Sequence, residues 1–174
     1  MKHIISVLVD NEAGVLSRVA GLFSARGFNI ETLTVAPVGE GNESRMTIVT
    51  TGDESIVEQV TKQLHKLVPV IRVVDLTEGP HVSRELMLVK VAAEGEHRSE
   101  VLRIADIFRC RVVDATAGSF IIEVTGGSEK LDACLDLLRP LGLVEVVRTG
   151  RVAISRGARE TGVAARTGSK TTGA

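Results

Sequence analysis

The stretch Asp10-Asn11-Glu12-Ala13-Gly14-Val15-Leu16-Ser17-Arg18 joins two kinds of pattern. Before it, Ile4 to Val9 is apolar and β-branched; after it, apolar residues recur with helical spacing. A strand, a short polar turn and a helix start, in that order, leave main-chain N–H groups without an intrahelical partner. Such groups are a natural seat for an anion. Asn11 can bond the turn or a ligand, and Gly14 lets a ligand approach the backbone closely. Val15 and Leu16 follow at once, so the seat is half apolar. It suits a small molecule with a carboxylate and an aliphatic side chain. The same residues would also serve an ordinary Asx-capped turn, so the surrounding chain has to decide.

Outward from the turn, His3 to Val9 reads as a central strand buried on both faces. Val15, Leu16, Val19, Leu22 and Phe23 give a helix over 15–26, stopped by Gly27. Asn29 to Ala36 (NIETLTVA) is β-branched, Gly39-Glu40-Gly41-Asn42 makes a hairpin turn, and Arg45 to Thr51 returns. Asp53 and Glu54 start a second helix striped by Ile56, Val57, Val60, Leu64 and Leu67. Pro69 ends it, and Val70 to Leu76 is a fourth strand. The order is βαββαβ over residues 1–77, with a linker over 78–83.

The order then repeats over 84–158. Arg84 to Val91 is a strand, and Val101, Ile104, Ala105 and Phe108 share a helix face. Arg111 to Asp114 and Ser119 to Val124 form a hairpin; Leu131, Cys134, Leu135 and Leu138 stripe a second helix. Pro140 and Gly142 end that helix, and Leu143 to Val147 closes the repeat. The fold class is therefore α+β, two ferredoxin-like βαββαβ domains with helices on one face of each antiparallel sheet. The Gly-, Thr- and Ala-rich end, residues 159–174, is expected to be a disordered tail.

In this topology the strand order is 4-1-3-2, which leaves NIETLTVA at a sheet edge. An edge that is long, β-branched and carries one charge needs a cover. Pairing with the same edge of a second copy is the simplest, and it predicts an isologous homodimer with Asn29 near the interface.

Composition excludes several classes. Of 174 residues 44% are hydrophobic, yet there are four Phe and no Trp or Tyr, so the core is aliphatic. Base-stacking RNA recognition needs aromatic side chains on the sheet, and the net charge of −1 offers no field for nucleic acid or an anionic membrane. No apolar run approaches the ~18 residues of a membrane span. With no leader pattern, a cytoplasmic location is expected. An acylphosphatase-like use of the turn, with Arg18 holding phosphate, is opposed by Glu12 and by the apolar Val15-Leu16. The four histidines lack metal-ligand spacing. Gly126-Gly127-Ser128 could seat a phosphate but reads more simply as a helix cap, and Cys134 as a small buried thiol.

DNEAGVLSRVAGLFSARGFNIETLTVAP, SRMTIVTTGDESIVEQVTKQLHKLVPVIRVVDL, HVSRELMLVKV and the closing VAISRG resemble the small regulatory subunit of acetolactate (acetohydroxyacid) synthase. The resemblance implies an N-terminal ACT domain that dimerises and a subunit that binds and activates a large catalytic subunit. It implies no catalytic site of its own and no cofactor here, with thiamine diphosphate, Mg²⁺ and FAD in the catalytic subunit. It further implies feedback inhibition by valine, bound by Asn11, Ala13, Gly14, Val15 and Leu16 of one chain with Asn29 and Ile30 of the other. A free-standing ACT-domain amino-acid sensor acting on another partner is the alternative.

Overall fold

The computed structural model describes residues 1–157. Its first half runs β1 (Lys2–Asp10), α1 (Val15–Ala25), β2 (Ile30–Pro37), β3 (Glu43–Thr51), α2 (Glu54–Leu64) and β4 (Val70–Asp75). The sheet order is β2-β3-β1-β4, so β2 occupies an edge as the topology predicted. Ile5, Val7 and Val9 of β1 join Met46 and Ile48 of β3 under both helices. Val15, Val19, Leu22 and Phe23 of α1 and Val57, Val60 and Leu64 of α2 complete that aliphatic core. All seven residues between the ends of β1 are buried, the two-sided burial expected of a strand that is apolar at nearly every position.

The second half repeats the plan with β5 (His81–Ala92), α3 (Glu96–Ile107), β6 (Arg111–Ala115), β7 (Ser119–Gly126), α4 (Ser128–Leu138) and β8 (Leu143–Arg148). Its order is β6-β7-β5-β8. Met87, Val89 and Val91 pack with Phe120, Ile122 and Val124 beneath Val101, Ile104, Leu131 and Leu138.

Two boundaries depart from expectation. β5 begins at His81, so the strand consumes the second half of the 78–83 linker. A ninth strand, β9 (Val152–Ser155), pairs with β5. Ala153 of β9 is buried in a cluster with Ile4, Val49 and Leu76. The two compact units are accordingly Met1–Val82 with the segment from Ala153, and Ser83–Val152. Four residues are too few to display a period, which is why β9 escapes a pattern reading. The predicted tail, 159–174, lies outside the described residues.

The two halves end their first helices alike. In α1, Gly27 N–H bonds Ser24 O at 3.1 Å and Phe28 N–H bonds Phe23 O at 3.0 Å, a Schellman closure with Gly27 at φ 69°. In α3, Arg109 N–H bonds Asp106 O at 3.0 Å and Cys110 N–H bonds Ala105 O at 2.7 Å. Here the left-handed residue is Arg109, at φ 53°. A side chain in that region costs roughly 1–2 kcal/mol, partly offset by the greater unfolded-state freedom of glycine. Arg109→Gly is expected to stabilise the chain by about 0.5–1 kcal/mol, read as a higher denaturant midpoint at unchanged slope. A lower midpoint would mean that the Arg109 side chain itself contributes more than its backbone costs.

Candidate functional site

The β1–α1 turn is pinned at both flanks. Asp10 N–H bonds Pro69 O at 2.8 Å, and Asn11 N–H bonds Asn42 O at 2.9 Å. Gly14 is the N-cap of α1 at φ 86°, a left-handed conformation that selects glycine, and a Cβ there would meet nothing within 4 Å. No side chain caps the helix and its first turn holds no acidic residue. By contrast, α2 is closed by Asp53, whose carboxylate accepts from Ile56 N–H at 3.0 Å. That contact and the Ser55 hydroxyl, at 2.7 Å, draw the Asp53 carboxyl below the ordinary range. The Asx cap considered for Asn11 is absent: Val15 N–H turns back to Glu12 O at 3.4 Å, and no side chain caps the rest of the α1 N-terminus.

Around this opening Asn11, Ala13 and Gly14 are exposed, Val15 is buried into the core, and Leu16 remains 45% exposed. Glu12, one of two exposed carboxylates of the turn with Asp10, lies 3.4 Å from Arg18. The turn thus presents main-chain donors beside an aliphatic side chain, the two requirements of an α-amino acid with a branched hydrocarbon tail.

Asn29 and Ile30 lie elsewhere. Ile30 pairs with Thr50 and Thr50 with His3, and Asn29 O accepts from Thr50 Oγ1 at 2.6 Å. The turn begins at Asp10, opposite Glu43, seven residue steps along β1 from His3. Within one chain the two groups therefore stand at opposite ends of the sheet, roughly 23 Å apart at 3.3 Å per residue. The structure brings Asn11, Ala13, Gly14, Val15 and Leu16 together and leaves Asn29 and Ile30 apart from them.

One residue near the edge was not singled out from sequence. Val35 pairs with Met46, on the helix-side face shared with Leu33, yet is 40% exposed because no strand lies beyond β2. Its i+2 relation to Leu33 was the available signal.

The Gly126-Gly127-Ser128 turn is not an open anion seat. The Ser128 hydroxyl donates to Glu85, and Arg151 Nε lies 2.8 Å from Ser128 Oγ, so a carboxylate of the chain already holds this position. Among the described residues no group of three or more His, Cys, Asp or Glu side chains could hold a metal ion. No helix among them is long and apolar enough to cross a membrane.

Comparison with known proteins agrees with this arrangement along nearly the whole chain. A family described as the AHAS small subunit-like ACT domain matches residues 5–72, and the small subunit of acetolactate synthase matches residues 84–157. The acetolactate synthase isozyme 3 small subunit of Salmonella typhimurium is 54% identical over 158 residues, covering 90% of this chain and 97% of that protein. The acetolactate synthase small subunit of Haemophilus influenzae is 51% identical, again over 90% of this chain and 97% of its own length. The crystal structure of the small subunit from Thermotoga maritima superposes with a TM-score of 0.84 at 39% identity, covering 90% of this chain and 98% of that one. With two βαββαβ repeats, an open turn before α1 and relatives matched almost end to end, the chain belongs to the acetolactate synthase small-subunit family.

Proposed function

We propose that this chain is the regulatory subunit of an acetolactate synthase, activating a thiamine-diphosphate-dependent catalytic subunit and conferring feedback inhibition by valine. The observation that carries the valine site is the separation just described. Pro37, at the far end of β2 from Ile30, pairs with Ser44, which pairs with Val9 beside the turn. Antiparallel pairing of two β2 edges about a two-fold axis sets the start of one strand beside the end of the other. Asn29 and Ile30 of a second copy then approach the turn that one chain cannot bring them to. The edge is suited to such pairing: eight residues long, with none fully buried.

In the proposed site, N–H groups at Gly14 to Leu16 take the valine carboxylate. The side-chain oxygens of Asn11 and of the second copy's Asn29, with the main-chain carbonyl near Ile30, take the ammonium. The isopropyl group lies among aliphatic side chains. A ligand held by two chains stabilises one arrangement of the dimer over another, and a coupling of about 1–3 kcal/mol is the usual size of such an effect. An apolar pocket discriminates one methylene by only ~1–3 kcal/mol, so leucine and isoleucine should bind at higher concentration rather than not at all. The condensation itself, of two pyruvates or of pyruvate with 2-oxobutyrate, belongs to the catalytic subunit. So do thiamine diphosphate, Mg²⁺ and FAD.

Val35→Glu places like charges at the β2 edge of both copies and is expected to shift the protein from dimer to monomer in sedimentation velocity. An unchanged dimer would place the interface elsewhere. Co-purification with the catalytic subunit, assayed with and without valine, tests the regulatory assignment. A chain that binds valine but never retains that subunit is a free-standing sensor instead.

A further inference from the structure

Two thiols lie in contact inside the second unit. Cys134, on the buried face of α4, is completely shielded from solvent. Cys110, the residue between α3 and β6, is partly exposed. Their Sγ atoms stand 3.9 Å apart, though the two residues are 24 positions apart in the chain. That is van der Waals contact, so bond formation, at about 2.05 Å, asks for an approach of less than 2 Å. The approach can come from the Cys110 side. Cys110 follows the left-handed Arg109 and directly precedes β6, an edge strand of its sheet, whose five residues are all exposed.

We propose that Cys110 and Cys134 form a latent intrachain disulfide site that closes when the protein meets a low-molecular-weight disulfide such as oxidised glutathione. The order of steps follows from access. The Cys110 thiolate attacks one sulfur of glutathione disulfide, forming a mixed disulfide and releasing one glutathione thiolate. The Cys134 thiolate then attacks the Cys110 sulfur of that mixed disulfide, the protein S–S bond forms, and the second glutathione leaves as thiolate. Two protein thiols lose two protons and two electrons, and one glutathione disulfide becomes two glutathione thiols. Cys134 is too enclosed to meet the oxidant first, so Cys110 is the attacking residue and Cys134 the resolving one.

The same enclosure sets the tempo. Burial pushes the Cys110 thiol up, and burial with the neighbouring Cys110 pushes Cys134 up to about 12; the Lys130 ammonium opposes both only in part. Little thiolate exists at neutral pH, so the site closes slowly under sustained oxidant rather than in a rapid response. Closure ties the end of α3 and the start of β6 to the middle of α4, enclosing the exposed β6–β7 hairpin in a covalent loop.

The test is to incubate the full-length protein, native, with oxidised glutathione and to follow intact mass and accessible thiols after unfolding. Wild type should lose two hydrogens and both thiols, regain both with reductant, and melt several degrees higher when oxidised. The rate should rise close to tenfold per pH unit between about 7 and 8, tracking the thiolate fraction. Cys134→Ala should stop at the mixed disulfide, with one glutathione attached to Cys110, while Cys110→Ser should leave Cys134 unmodified. Wild type that retains both thiols, ends as a stable glutathione adduct, or cross-links between chains would overturn the proposal, whatever the variants do.

Discussion

At the proposed valine site, Gly14→Asp is expected to weaken binding about 100-fold or more in calorimetry on the isolated subunit, and Gly14→Asn far less. The pair separates charge from shape. Both side chains tolerate the left-handed backbone better than most, and a Cβ at this position meets nothing within 4 Å, so each variant folds with a comparable strain of roughly 1 kcal/mol. What differs is one negative charge beside the main-chain donors that would hold the ligand carboxylate. Two carboxylates about 4 Å apart near a protein surface repel by up to ~4 kcal/mol, less after screening. A 100-fold loss is ~2.7 kcal/mol, within that range. The Gly14→Asp variant is expected to keep its dimer and its catalytic partner while the synthase no longer responds to valine. Equal affinity in wild type and Gly14→Asp would place valine elsewhere, even if the subunit retained its partner.

Much of this architecture could be read from residue spacing because burial leaves a period. The helix stripe Val15, Val19, Leu22 and Phe23 and the nearly continuous apolar run of β1 both report their surroundings directly, and each is legible from the sequence. The edge position of β2 followed from topology rather than composition. Other features leave no period. β9 is four residues long and owes its place to pairing and to the buried Ala153, so its return to β5 leaves no trace in the sequence. Asn11 in a DNxxG turn suggests a side-chain cap, yet the backbone closes through Asn42 and Gly14 and leaves the helix start open. Contacts between distant side chains, such as Cys110 with Cys134, have no local signature at all. The proposed valine site shares that difficulty: half of it depends on which end of a strand faces a second copy, a matter of register rather than residue type.

The register of β5 produces the other large effect, the loss of stability expected from Glu85→Ala. Glu85, near the start of β5, is 5% exposed, and its carboxylate is held from three directions. Arg148 Nη2 lies 2.6 Å from Oε2, Arg151 Nε 3.2 Å from Oε1, and the Ser128 hydroxyl donates to Oε1. Arg148 also reaches Asp132 at 2.6 Å, so one carboxylate ties β5 to α4, β8 and the segment leading to β9. Burial alone would raise the Glu85 carboxyl, but the Ser128 hydroxyl and the two arginines outweigh it and hold it below the ordinary 4.5. Removing that anion takes from Arg148 the more buried of its two carboxylates and from Arg151 its 3.2 Å contact. Breaking a buried pair in this way costs about 3–5 kcal/mol, far more than the few tenths expected for the exposed Lys62–Glu58 pair on α2. For a chain of this size the melting temperature should fall by roughly 10 °C. The sign of the pH dependence follows from the lowered folded-state value. The ionised carboxylate stabilises the fold in full above the unfolded value near 4.5, and that contribution fades as pH falls through the lower folded value. The gap between wild type and Glu85→Ala should therefore be flat from pH 8 to about 5.5 and narrow as acid is added below 4.5. A gap under about 1 kcal/mol at pH 7, or one that widens in acid, would show that the arginines find other partners and that the carboxylate does not hold the second unit together.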